Sequence, residues 1–192
     1  MKKRTAFIGA ILSLIPLGQP LIIKTGLFLS TTGLMLAVSE NVYARDSAFF
    51  YNRGSDKAEK GDHDGAISDY TRAIEIDPQN DDAFFNRGNS KVELKDYYGA
   101  ISDYTRAIEI RPADDAYFNR GKAKSDLKDY KGSILDFSKA IEINPQYANA
   151  FKNRSISKEN IGDIKGACED AKKSVSFGDT ASDNENWIKD NC

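Results

Sequence analysis

The residues Gly65 to Ile76 recur letter for letter at Gly99 to Ile110, and an altered third copy runs from Gly132 to Ile143. Successive copies lie 34 and 33 residues apart. A unit that short cannot enclose an apolar face alone, so it must stack on copies of itself, and the chain reads as an array of supersecondary units. From Arg45 onward about 148 residues remain, enough for four units and a terminal cap around one continuous core.

Each unit divides into two helical stretches. The first opens with Phe50-Tyr51-Asn52-Arg53-Gly54, and its counterparts are Phe84 to Gly88, Tyr117 to Gly121 and Phe151 to Ser155. Turns follow at Gly61-Asp62, Lys95-Asp96, Lys128-Asp129 and Gly162-Asp163, where each Asp is placed to cap the next helix by accepting from its free backbone donors. The second stretch carries apolar residues at helical spacing: Ala66, Ile67, Tyr70, Ala73 and Ile74, then Ala100, Ile101, Tyr104, Ala107 and Ile108. Asp77-Pro78, Arg111-Pro112 and Asn144-Pro145 end it, because a residue before proline is pushed out of the α region.

This pattern resembles the tetratricopeptide repeat family. Phe50, Gly54, Ala66, Tyr70, Ala73 and Pro78 meet its signature in repeat one, and Phe84, Gly88, Ala100, Tyr104, Ala107 and Pro112 meet it in repeat two. Repeat three has Tyr117, Gly121, Phe137, Ala140 and Pro145, with Ser133 in place of an Ala. Repeat four keeps Phe151 and Ala167 but has Ser155, Ala171, Ser174 and Asp179 elsewhere, as a degenerate terminal unit would. The resemblance implies an all-α, right-handed solenoid of about four helix-turn-helix repeats, over about residues 47–80, 81–113, 114–147 and 148–179. Residues 180–192, with Trp187 and Ile188, are expected to form a capping helix. The tail also resembles the ends of other bacterial, particularly cyanobacterial, repeat proteins.

In that family the first helices line a concave groove that binds a protein or peptide. The resemblance places Tyr51, Phe85 and Phe118 in it as an aromatic column continued by Lys152, beside Asn52, Asn86, Asn119 and Asn153, with Asn89 a further amide. Glu59, Glu93 and Asp126, with Asp82 and Asp115, add acidity. Amides hold a peptide backbone, aromatics take apolar side chains, and carboxylates favour a partner with Lys or Arg. Residues of these types also occur at these places as scaffold, whatever the ligand. Family members that grip a chaperone's terminal carboxylate pair two Asn with Lys and Arg; here Phe85 and Asn149 stand where the lysines belong, so that clamp is incomplete.

The rest of the chain narrows the function. The whole sequence has 27 basic and 29 acidic residues; leaving out Lys2, Lys3, Arg4, Lys24 and Glu40 gives 23 against 28 from position 45 on. Interspersed charge with that balance offers no stripe for a nucleic-acid backbone. No nucleophile motif, paired-carboxylate geometry or phosphate loop is discernible, so the chain is expected to be non-catalytic and without cofactor. His63 is the only histidine, which argues against a metal site, and it is expected to pack where Tyr97, Tyr130 and Ile164 stand in the other repeats.

Residues 1–44 begin Lys2-Lys3-Arg4, continue with apolar stretches Phe7 to Ile23 and Gly26 to Val38, and end Val42-Tyr43-Ala44. They read as an export signal cleaved near Ala44, giving a periplasmic, lumenal or secreted product, or alternatively as a retained anchor with the repeats outside the cytoplasm. For an exported chain the two cysteines, Cys168 and Cys192, invite a disulfide; the other reading is two unpaired thiols.

Overall fold

The computed structural model describes residues 32–179 and 182–192, and side chains are described for residues 46–179 and 186–192. Among the described residues all regular structure is helical: α1 (Thr32–Glu59), α2 (His63–Ile76), α3 (Asp81–Glu93), α4 (Tyr97–Ile110), α5 (Asp114–Asp126), α6 (Tyr130–Ile143), α7 (Ala148–Asn160), α8 (Ile164–Ser176) and α9 (Ser182–Asn191). Four helix pairs and a terminal helix result. The chain divides into two compact units, and Val38–Cys192 contains all the repeats; Met1–Ala37 enters the description only through the start of α1. Helix α1 begins well before the first repeat and runs unbroken through Ala44 and Arg45. The apolar stretch Phe7 to Ile23 lies outside the described residues, and among those described no helix is long and apolar enough to cross a membrane.

The turn inside each repeat has one construction. Asp62, Asp96, Asp129 and Asp163 each accept from the backbone N–H of the Gly three residues on, capping α2, α4, α6 and α8. A Cβ on any of those glycines would come within 2.1–2.2 Å of the capping carboxylate, so the cap requires the Gly. The same Asp residues donate their own N–H to Lys57, Lys91, Lys124 and Lys158, which closes the preceding helix in a Schellman turn. That turn needs one residue in the left-handed region: Gly61 and Gly162 supply it freely, whereas Lys95 and Lys128 adopt it at φ 61° and 64°.

Packing follows from matched sizes. Gly54, Gly88 and Gly121 lie under the rings of Tyr70, Tyr104 and Phe137, where an added Cβ would approach ring carbons to 2.8–2.9 Å. Repeat four reverses the pair, with Ser155 in the glycine's place and a fully buried Ala171 in the ring's. Ser133, standing for Ala, is also matched: its Oγ meets Ser157 Oγ at 2.9 Å, both residues fully buried. Without a proline, α8 ends in a Schellman turn in which Gly178 (φ 101°) is left-handed and Asp179 N–H reaches Ser174 O at 3.0 Å. Successive helices pack along the stack; α3 touches α5 and α5 touches α7, whereas no two second helices touch among the described residues. The stack therefore curves with its first helices on the inside.

Candidate functional site

The inner face is built on a buried electrostatic tie repeated four times. In repeat two, Asp103 accepts from Arg87 Nε at 2.9 Å and Nη2 at 2.6 Å, and Lys91 Nζ lies 2.7 Å from the same carboxylate. Asp136 holds Arg120 and Lys124 likewise, Asp170 holds Arg154 and Lys158, and Asp69 holds Arg53 and Lys57. Every one of these carboxylates is buried. Three arginines also cross to the previous repeat, where Nη1 donates to Thr71 from Arg87 (3.0 Å), to Thr105 from Arg120 (3.1 Å) and to Ser138 from Arg154 (2.9 Å). One guanidinium thus joins three helices. The Arg53 guanidinium, followed by Lys57, holds the Asp69 carboxyl down at about 2 despite burial. Sequence reading missed these ties, although their signal was present: Arg, Lys four residues on, and Asp sixteen after the Arg, in every repeat.

Against that frame the expected groove residues fall into two groups. Tyr51, Phe85 and Phe118 are half-buried and lean on the second helices, with ring centroids 5.9, 5.7 and 5.7 Å from Tyr70, Tyr104 and Phe137. The amides between them are interlocked: Asn86 Nδ2 donates to Tyr51 Oη (2.9 Å), and Asn89 Oδ1 accepts from Tyr104 Oη (2.7 Å) and Asn119 Nδ2 (3.2 Å). This lattice spans three repeats. Burial pushes the Tyr104 hydroxyl's pKa well up, which keeps it a donor. Asn52, Glu59, Glu93 and Asp126 are exposed and outside the lattice. Lys152 lies 3.3 Å from Asp179, and Asn153 Nδ2 turns back to Asn149 O at 2.8 Å, so neither extends the column in the same way.

One groove member was not expected. Tyr147, in the loop before α7, stacks on Phe118 at 4.9 Å and donates its hydroxyl to Asp115 at 2.7 Å; desolvation first, then Asp115, raises its pKa. Lys122 Nζ sits 5.9 Å from the same ring. Asp82 is engaged by Arg111 at 2.8 Å. The free acidity of this face therefore rests on Glu59, Glu93 and Asp126 rather than on all five carboxylates.

Three tetratricopeptide-repeat family models match the sequence, over residues 54–94, 81–114 and 115–147. The fold is a tetratricopeptide-repeat solenoid. Among solved structures, that of MamA protein is similar over 74% of this chain and 79% of that one, at 23% identity and a TM-score of 0.72. YrrB, described as a TPR protein with an unusual peptide-binding site, aligns over 81% of this chain and 79% of its own, at 18% identity and TM-score 0.67. The first TPR of Spaghetti (RPAP3), solved bound to the HSP90 peptide SRMEEVD, aligns over 62% of this chain and 95% of its own, at 23% identity and TM-score 0.60. No curated protein matches the sequence significantly.

The remaining chemistry of this tetratricopeptide array lies outside the groove. Cys168 on α8 and Cys192 after α9 are placed as a bonded pair, Cα atoms 5.7 Å apart. Trp187 Nε1 donates to Glu159 at 2.9 Å, so α9 lies over the end of repeat four. His63 is half-buried, with Nδ1 enclosed and unpaired by hydrogen bonds. Among the described residues no cluster of His, Cys, Asp and Glu is arranged to hold a metal ion.

Proposed function

We propose that this chain is a non-catalytic scaffold whose inner face holds a peptide or protein segment bearing apolar and basic side chains. The observation that carries the reading is the lattice of Tyr51, Asn86, Asn89 and Asn119. It fixes Tyr51 in place before any ligand arrives, while Phe85 and Phe118 are held against Tyr104 and Phe137, so little conformational freedom is lost on binding. Each amide keeps hydrogen-bonding capacity for a peptide backbone, and exposed Glu59, Glu93 and Asp126 select for Lys or Arg. The peptide-bound RPAP3 repeat and the peptide-binding site of YrrB support this mode on the same fold. The ligand differs in charge from SRMEEVD, because Phe85 and Asn149 stand where a carboxylate clamp needs lysines.

A second reading, a spacer acting through its outer face, draws on Tyr98 and Leu135, which lie 77% and 68% exposed on second helices. Photo-crosslinking residues placed singly at Asn52, Glu93, Tyr98 and Leu135 in the full chain, expressed in its own cells, separate the two. Partner adducts from Asn52 and Glu93 alone support the groove; adducts from Tyr98 and Leu135 alone transfer the function to the outer face.

Residues 1–44 serve in this proposal as an export signal cleaved near Ala44, and the Cys168–Cys192 bond clamps the cap in an oxidising compartment. Intact mass measured before and after reduction tests both. A species starting at Arg45 with thiols blocked until reduction is expected; a full-length membrane-bound species would make residues 1–44 an anchor, and free thiols would remove the clamp.

A further inference from the structure

The two ends of the array are chemically unlike. At each internal junction the incoming second helix offers a hydroxyl to an Arg on the next first helix, and a buried Ala (Ala83, Ala116 or Ala150) stands beside the seam. Arg53 is the fourth such arginine. Asp69 occupies its Nε and Nη2 as in the other repeats, but among the described residues no second helix precedes it to supply the hydroxyl. Its side chain is 46% exposed, against 15–17% for the other three. Phe49 replaces the buried Ala and is 57% exposed, and its ring and that of Phe50 flank the guanidinium at 5.3 and 5.0 Å. A cavity of about 390 Å³ opens beside it, bounded by Phe50, Arg53, Asp69 and Arg72.

We infer that this end of α1 and α2 is a second docking surface, which receives one amphipathic helix of a partner protein. That helix seats its apolar face on Phe49 and Phe50 and presents a Ser or Thr hydroxyl to Arg53, continuing the junction the array already makes three times. A desolvated guanidinium edge without an acceptor is costly to cover with apolar groups alone, so the hydroxyl is a requirement of the site. A second copy of this chain stacked head to tail does not fit. Its terminal second helix, α8, has Lys172 where Thr71, Thr105 and Ser138 stand, which would set cation against cation, and α9 already lies over that end.

The probe is a stapled helical peptide with the sequence of α4, Tyr97–Ile110, because α4 seats on α5 through this chemistry. Added to the full chain in a fluorescence titration, it should bind saturably. Affinity should fall about tenfold or more in the F49E variant, as loss of a central aromatic anchor does. Replacing the peptide's counterpart of Thr105 by Val should weaken binding to wild type and leave binding to Arg53→Ala unchanged. Phe49 is exposed, so F49E keeps the fold, which circular dichroism checks. Equal binding to F49E, or binding relieved only by groove substitutions, overturns the proposal. So does absence of binding. Hydroxyl-radical footprinting of Phe49 and sedimentation then tell an end covered by this chain itself, or by a second copy, from an open one with no affinity. The inference is independent of the groove, which the cross-links at Asn52 and Glu93 test.

Discussion

Repeats two and four make the same structure from different residues. Repeat two meets every apolar requirement of its family, whereas repeat four has exchanged a glycine, an aromatic, an alanine and a proline. Yet Arg154, Lys158 and Asp170 hold repeat four as Arg87, Lys91 and Asp103 hold repeat two, at matching distances. The exchanges are compensated in pairs: Ser155 with Ala171, and Gly178 with the missing proline. The charged tie is thus the common frame, and the apolar signature is one of several ways to fill it.

The sharpest way to break the comparison is to remove the carboxylate. Asp103→Ala and Asp170→Ala each leave an Arg and a Lys facing one another in a buried site, and each should cost about 3–5 kcal/mol in urea unfolding. A large loss for Asp103 with none for Asp170 would mean repeat four is held by packing alone. Next is the cap. Cys192→Ser removes the proposed Cys168–Cys192 bond, whose sequence separation is 24, and should release up to about 3 kcal/mol of stabilisation, confined to α8 and α9 in hydrogen exchange.

A smaller effect separates the two packing solutions. Gly88→Ser drives a side chain into the Tyr104 ring and should destabilise by about 1–3 kcal/mol, whereas Ser155→Gly, facing Ala171, should change stability by less than about 1 kcal/mol. Acid should sharpen the role of the tie. The Asp69 carboxyl is held at about 2, below its unfolded value, so its contribution is complete above the unfolded pKa and lost as pH falls towards 2. Stability measured from pH 5 down to 2 should decline, and less steeply in Asp69→Asn. The smallest change is a gain: Lys95→Gly relieves a left-handed lysine and should stabilise repeat two by up to about 1 kcal/mol.

Much of this was legible in the sequence, for identifiable reasons. The duplicated block fixes the period, Asp62 and its counterparts sit where a helix must begin, and Pro78, Pro112 and Pro145 sit where one must end. Glycines under aromatics are size complements that a repeat shows by juxtaposition. The ties were harder to see, because Arg87 and Asp103 read individually as solvated charges and only their recurrence at one spacing reveals burial. The groove was legible as a column but not as a lattice. Asn86 and Asn119 bond across repeats to Tyr51 and Asn89, and such contacts depend on the angle between repeats, which sequence spacing does not encode. Tyr147 escaped notice because it lies in a loop, outside any helical periodicity.

Native-state hydrogen exchange on the full chain, read helix by helix, tests the central claim most directly. If the buried ties make one continuous four-repeat frame, α7 and α8 should be protected to a degree close to that of α3 and α4, and Asp170→Asn should abolish the protection of α7 and α8 together. Rapid exchange of α7 and α8 in the wild-type protein, or protection that survives the loss of Asp170, would contradict the account and leave a groove of only three repeats.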